Sequence, residues 1–334
     1  MRYRFLVYFL FLFTLVATSC KTDFEVNEKW KEIDIVYSLL DVNDSVHYVK
    51  IGKAFLNQDE SAYKIAATQD SLYHKDSLDV RLQEIKNGAV QKDIILQKTY
   101  LNNKDSGVFA SPGQFLYKLP NDYKLNPDLT YKVMVKNTSS GVEASGRTEV
   151  VGNIRQLNPN TSQTIGFARD QVRQVSFSSG KGARFYELTI FIHYTEYDAS
   201  NNNKLKDEVI RWPIFTNYVT PNTLGNAEVR YTIRANDFFK ILADNIKPND
   251  KVYRKLGLLD FDITGGGEEI YNYMNVYRPS IGVVQKKPEY TNIENGQGVF
   301  SSRNRTITQV PASSTTIKAI MESGTNTSQL NFRQ

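Results

Sequence analysis

Four carboxylates crowd one stretch of the chain: Asp260-Phe261-Asp262, then Gly265 to Gly267, then Glu268-Glu269. Alternate residues of an extended strand share a face, so Asp260 and Asp262 are expected to point the same way. Oxygen donors in that number could hold Ca²⁺, and a carboxyl pair about 5 to 10 Å apart could do acid/base work on a glycosidic bond. A plainer alternative puts Asp260 and Asp262 on a solvated strand face and Glu268 and Glu269 in the first turn of a helix, where negative charge suits the dipole. Other chemistry is poorly served. His47, His74 and His193 are scattered, no His-Glu-x-x-His or Gly-x-Ser-x-Gly occurs, and Cys20 is the only cysteine. Ser179-Gly180-Lys181-Gly182-Ala183 lacks the spacing of a phosphate loop and predicts a turn. Trp212, Tyr186, Tyr194, Tyr197 and Tyr218 could stack on sugars, although large rings in a β-rich chain mostly fill its core. The expectation is a binding or assembly module without catalytic residues. Its rival is a glycan hydrolase, or a Ca²⁺-dependent glycan binder, that uses the acids of 260–269.

The elements that must position these residues are strands. Short runs rich in Val, Ile, Tyr and Leu, broken by turn residues, predict an all-β chain with a few short helices. Ile33 to Leu40 and Val46 to Phe55 flank the turn Asp41 to Ser45, and Leu78 to Ile85 and Gln91 to Tyr100 flank Asn87-Gly88, so two hairpins are expected. Ala62, Ile65 and Ala66 predict a short helix between them. Arg184 to Tyr194 and Val209 to Phe215 flank Asn201-Asn202-Asn203; Arg230 to Ile233 and Leu256 to Ile263 are further strands. Asn236 is expected to cap a helix whose apolar face is Phe238, Phe239, Ile241 and Leu242.

The ends say where such a module would live. Arg2 and Arg4 precede the apolar run Phe5 to Val16, the pattern of an export leader, and the run is short of the ~20 residues that a membrane span needs. Removing the two arginines takes the formal charge from +5 to +3, with no long basic run, which argues against a nucleic-acid partner. With one cysteine there is no internal disulfide, and burial and hydrogen bonding must hold the fold.

Ala17-Thr18-Ser19-Cys20 resembles a bacterial lipobox, which implies a signal peptide over 1–19, acyl chains (palmitate among them) on Cys20 and a tether over 20–31. Two or three acyl chains hold a membrane firmly where one does not. Asp44-Ser45-Val46, Asp70-Ser71-Leu72 and Asp76-Ser77-Leu78 look like the Asp-Ser-aliphatic sites of O-glycosylation in exported Bacteroidota proteins, so Ser45, Ser71 and Ser77 are candidates; the same tripeptides also suit plain turns.

Leu125-Asn126-Pro127, then Tyr131-Lys132-Val133-Met134-Val135, resembles the fibronectin type III pattern, in which the Tyr131 position forms a tyrosine corner. The resemblance implies an Ig/fibronectin III-like sandwich over 32–151. A second β-rich domain is expected over 152–310, entered through a polar linker near Pro159, and a C-terminal tail over 311–334. Asn292-Ile293-Glu294-Asn295-Gly296-Gln297-Gly298-Val299-Phe300, with Val36 to Asp41, resembles a family of Bacteroidota outer-membrane lipoproteins built on a domain of unknown function. That resemblance implies a place in the cell envelope, periplasmic or surface facing, and an outer-membrane transporter or receptor as partner. It supplies no catalytic residue.

Overall fold

Strands form wherever apolar and polar residues alternate, because one face of each can then be buried. The structure, a computed structural model, describes residues 33–54, 72–74, 77–102, 113–278 and 289–334. These are mostly strand with three short α-helices, an all-β fold. The expected leader and tether, Cys20, the expected helix around Ala62 and Ser71 lie outside the described residues.

The first half contains β1 (Asp34–Asp41), β2 (Tyr48–Lys53), β3 (Leu78–Lys86), β4 (Ala89–Ile95), β5 (Gln97–Leu101), β6 (Gln114–Lys118), β7 (Thr130–Asn137) and β8 (Glu143–Glu149). One sheet runs β1-β2-β6-β5 and the other β8-β7-β3-β4. Lettered along the chain, these are the A-B-E-D and G-F-C-C′ orders of an immunoglobulin-like sandwich. Asn87 (φ 51°) and Gly88 (φ 80°) close the β3–β4 hairpin in the left-handed region that a two-residue hairpin turn demands. The single strand expected from Gln91 to Tyr100 is broken: Leu96 is buried, and the chain crosses there from β4 in one sheet to β5 in the other. Val36, Leu40 and Ile51 meet Val80, Leu82, Val133 and Val135 to form the first core. Tyr131, fully buried at the start of β7, accepts the Asn126 N–H on its hydroxyl at 2.8 Å, which is the geometry of a tyrosine corner.

The second half contains β9 (Arg155–Asn158), β10 (Val172–Ser178), β11 (Phe185–Asp198), β12 (Lys204–Val219), β13 (Glu228–Arg234), α1 (Ala235–Asn245), β14 (Val252–Gly266), α2 (Glu268–Tyr277), β15 (Ile293–Glu294), β16 (Gly296–Pro311) and α3 (Ser314–Met321). The stretch expected to be a linker supplies β9, which pairs in a small sheet of order β13-β10-β9. The second core lies between this sheet, α1 and the inner face of β11, β12 and β14. Its centre is aromatic: the Phe167 and Phe238 rings stack at 4.5 Å, and Trp212 lies 6.0 Å from the first and 5.9 Å from the second. Asn236 does not cap α1. Arg234 occupies the cap position without a side-chain bond, and Asn236 instead exchanges hydrogen bonds with Asp170.

Residues Ile33–Gln334 form one compact unit with two cores, because β16 belongs to both halves. Its first part pairs parallel with β1, from Asp34 opposite Gly296 to Asp41 opposite Arg303, and its second part antiparallel with β14, from Gly266 opposite Arg303 to Leu258 opposite Pro311. The result is one sheet of eight strands, β12-β11-β14-β16-β1-β2-β6-β5. Ile293 and Phe300 accordingly pack in the first core although they lie far along the chain.

The segment 311–334 packs into the second core. Ile320 of α3, Leu330 and Phe332 are buried in the second core. Nearby, Arg254 (3% exposed) reaches Glu196 at 2.7 Å and the Leu330 carbonyl at 2.7 Å, so a buried cation ties the C-terminus to β11. Such a pair must stay intact, since removing one partner strands a buried charge.

Candidate binding face

The long sheet turns its inner side to the second core and its outer side away from it. On β11 the residues Ile190 and Ile192 are buried, so Thr189, Phe191 and His193 face outward. Strand register then sets the outer neighbours. Pro213 of β12, Thr189, Asp262 of β14 and Ile307 of β16 form one row across the sheet; Arg211, Phe191, Asp260 and Gln309 form the next. The face is mixed, with Val209 (52% exposed), Leu258 (41%) and Ile307 (50%) set among charged side chains. It ends at α2, whose Tyr271 ring lies 5.8 Å from that of Phe185 and whose Tyr273 lies 6.2 Å from Tyr37 of β1.

Asp260 and Asp262 share this face, as the alternation predicts, but they do not act as a pair. Asp260 bonds His193 Nε2 at 2.9 Å and accepts from Gln309 at 3.0 Å. Asp262 takes a two-pronged bond from the Arg305 guanidinium, with contacts of 2.7 to 3.1 Å. Glu268 and Glu269 begin α2, where the helix dipole favours them. Glu268 lies 3.4 Å from Arg184, whereas Glu269 turns inward and accepts from Thr148 at 3.0 Å and Ser301 at 3.2 Å. Burial, ahead of every other cause, pushes the Glu269 carboxyl above its ordinary range.

The four acids therefore do not fit a calcium site. Each is held by its own partners, and no group of three metal-ligating side chains comes together among the described residues. A free carboxylate pair for glycoside chemistry fares no better, since Arg305 occupies both oxygens of Asp262.

One acid on this face could not be singled out from sequence. Glu187 of β11 sits near Arg211, Arg278 and Asp262, and burial lifts its carboxyl above the ordinary value while the two arginines pull it back. Neither motif nor spacing signals it; only the alignment of β11 with β12 and β14 does. The remaining candidates are dispersed. Ser45 is exposed in the β1–β2 turn, and Ser77, partly buried before β3, offers its carbonyl to Thr138. Trp212, Tyr186 and Tyr194 are core residues, and Tyr197 stacks on Tyr253 at 5.1 Å. His47 is buried, and burial holds its imidazole below the usual value.

No family model matches the chain, and no curated protein matches it. Among solved structures it is similar to the C-terminal globular domain of an oligosaccharyltransferase from Pyrococcus abyssi, at 10% identity and a TM-score of 0.26, over 85% of this chain and 50% of that one. The chain thus spans about half the length of that structure. No helix of the described residues is long and apolar enough to cross a membrane.

Proposed function

We propose that the chain is an envelope-tethered binding module, acylated on Cys20, that offers the outer face of β12, β11, β14 and β16 to a protein of the same membrane. The observation that supports binding is the face itself. It spans four strands, its charges are held by cross-strand partners, and half-exposed Val209, Leu258 and Ile307 lie between them. Apolar side chains ringed by oriented polar groups suit a protein interface, with polar pairs setting register and apolar ones supplying affinity. Attachment is supported by the place of the only cysteine, at the end of the leader's apolar run. An outer-membrane transporter or receptor is the partner that the lipoprotein resemblance implies.

The test is co-purification of the tagged full-length protein from detergent-solubilised membranes, beside the double variant Leu258→Glu, Ile307→Glu and the variant Cys20→Ser. A stoichiometric membrane protein should accompany the parent and be lost from the double variant, while Cys20→Ser should move to the soluble fraction. Recovery of no such partner, or its retention by the double variant, removes the face from the account. A Cys20→Ser protein that stays in membranes removes the acyl anchor.

A further inference from the structure

A cavity of about 350 Å³ opens between β12 and β13. It exists because β12 is the last strand of the eight-stranded sheet and β13 the last of the small one, so the second core has an open side between two sheet edges. Trp212 and Ile233, both members of that core, form its floor, and Pro213, Ile214, Tyr231, Thr232, Arg234 and Asp237 complete its walls. Its volume falls within the range of roughly 300 to 1,000 Å³ common to small-molecule sites, and is far too small for a protein surface.

The lining is specific. Trp212 is 7% exposed, and its indole N–H, which makes no hydrogen bond among the described residues, is open to solvent. Arg234, the last residue of β13, and Asp237, in the first turn of α1, line the same space. Neither side chain has a hydrogen bond or ion pair among the described residues. The cavity therefore offers aromatic walls, a planar fork of donors, a planar pair of acceptors, a hydroxyl and an indole N–H. One cation and one anion offset each other, so net charge selects neither an anion nor a cation.

We propose that this cavity binds a neutral saccharide of one or two rings. A pyranose has the matching chemistry: a C–H face that packs on aromatic rings, and a rim of hydroxyls that each donate and accept. Arg234 would donate to adjacent hydroxyls, Asp237 would accept from them, and the ring would lie over Trp212 and Tyr231. The site uses none of the acids at 260–269 and borders the outer face at Pro213.

The chain's two tryptophans are Trp30 and Trp212, so in a Trp30→Phe protein selectively excited tryptophan fluorescence reports on the cavity floor. That protein should be titrated with glucose, galactose, N-acetylglucosamine, maltose and cellobiose, with phosphate and acetate as charged controls. At least one sugar should give a saturable change, and Arg234→Ala and Asp237→Ala, both at exposed positions, should each weaken it by about tenfold with an unchanged Tm. The proposal is overturned if no sugar gives saturation, if phosphate or acetate saturates the signal, or if the response survives both substitutions.

Discussion

Phe238 and Ser302 are both fully shielded from solvent, yet they hold the molecule by different means. Phe238 sits at the centre of the second core against Phe167, Trp212 and Phe239, where contact is apolar and undirected. Ser302 lies in the middle of β16, where that strand passes from one core to the other. Its hydroxyl accepts the Val151 N–H at 3.0 Å and donates to the Glu149 carbonyl at 2.6 Å, so it pins the chain where β8 ends and the second half begins. Ser301, Asn304, Thr148 and Glu269 surround the same crossing, all but the last nearly or fully inaccessible. The cores supply burial energy, while the seam supplies direction. The lesson is that two cores can share one sheet without merging, provided that the strand joining them is polar at the crossing point.

That contrast can be broken at its strongest point first. Phe238→Ala should cost about 3 to 5 kcal/mol, the usual range for deleting a buried ring, and should lower a single cooperative transition in urea. Two separate transitions in the parent protein would show that the cores are not coupled. Ser302→Ala should cost less, about 1 to 3 kcal/mol, because it strands the buried Val151 N–H. Its distinguishing mark should be a lower urea m-value, reflecting a second half that unfolds partly on its own. An unchanged m-value would mean that the seam adds stability but not coupling.

Glu269→Gln should have the smallest effect, visible in its pH dependence. Burial favours the neutral acid, so the native state keeps this proton above pH 4.5, where the unfolded chain has lost it. The contribution to stability is complete below the unfolded value and is lost as pH rises through the higher native one. Thermal melts of the parent between pH 4 and 7 should therefore show a decline with rising pH that the glutamine variant lacks. Equal pH profiles for the two would place the Glu269 carboxyl outside the linkage.

Much of this was legible from local pattern. The all-β character, the hairpin at Asn87-Gly88, the corner residue Tyr131 and the shared face of Asp260 and Asp262 all depend on neighbours within a few positions, and two-residue periodicity or turn chemistry encodes them directly. Asn236 was misread because a capping residue and a residue bonding across to Asp170 look alike until the loop before β10 is in place. The metal reading of the acids failed for the same reason, since Arg305 and His193 lie 43 and 67 positions away from the carboxylates they engage.

By itself the sequence determined the period of its strands, the sites of its turns, and the place of the solitary cysteine after an apolar run. These are properties of short windows, set by backbone sterics and by the alternation of apolar side chains. Only tertiary structure decided that β16 would run parallel to β1 and then antiparallel to β14. It likewise decided that the C-terminal segment would fold into the second core, and that a cavity would remain between two sheet edges. Those outcomes depend on which strands become neighbours, and strand pairing between distant segments is settled by the summed packing of the whole chain rather than by any stretch of it.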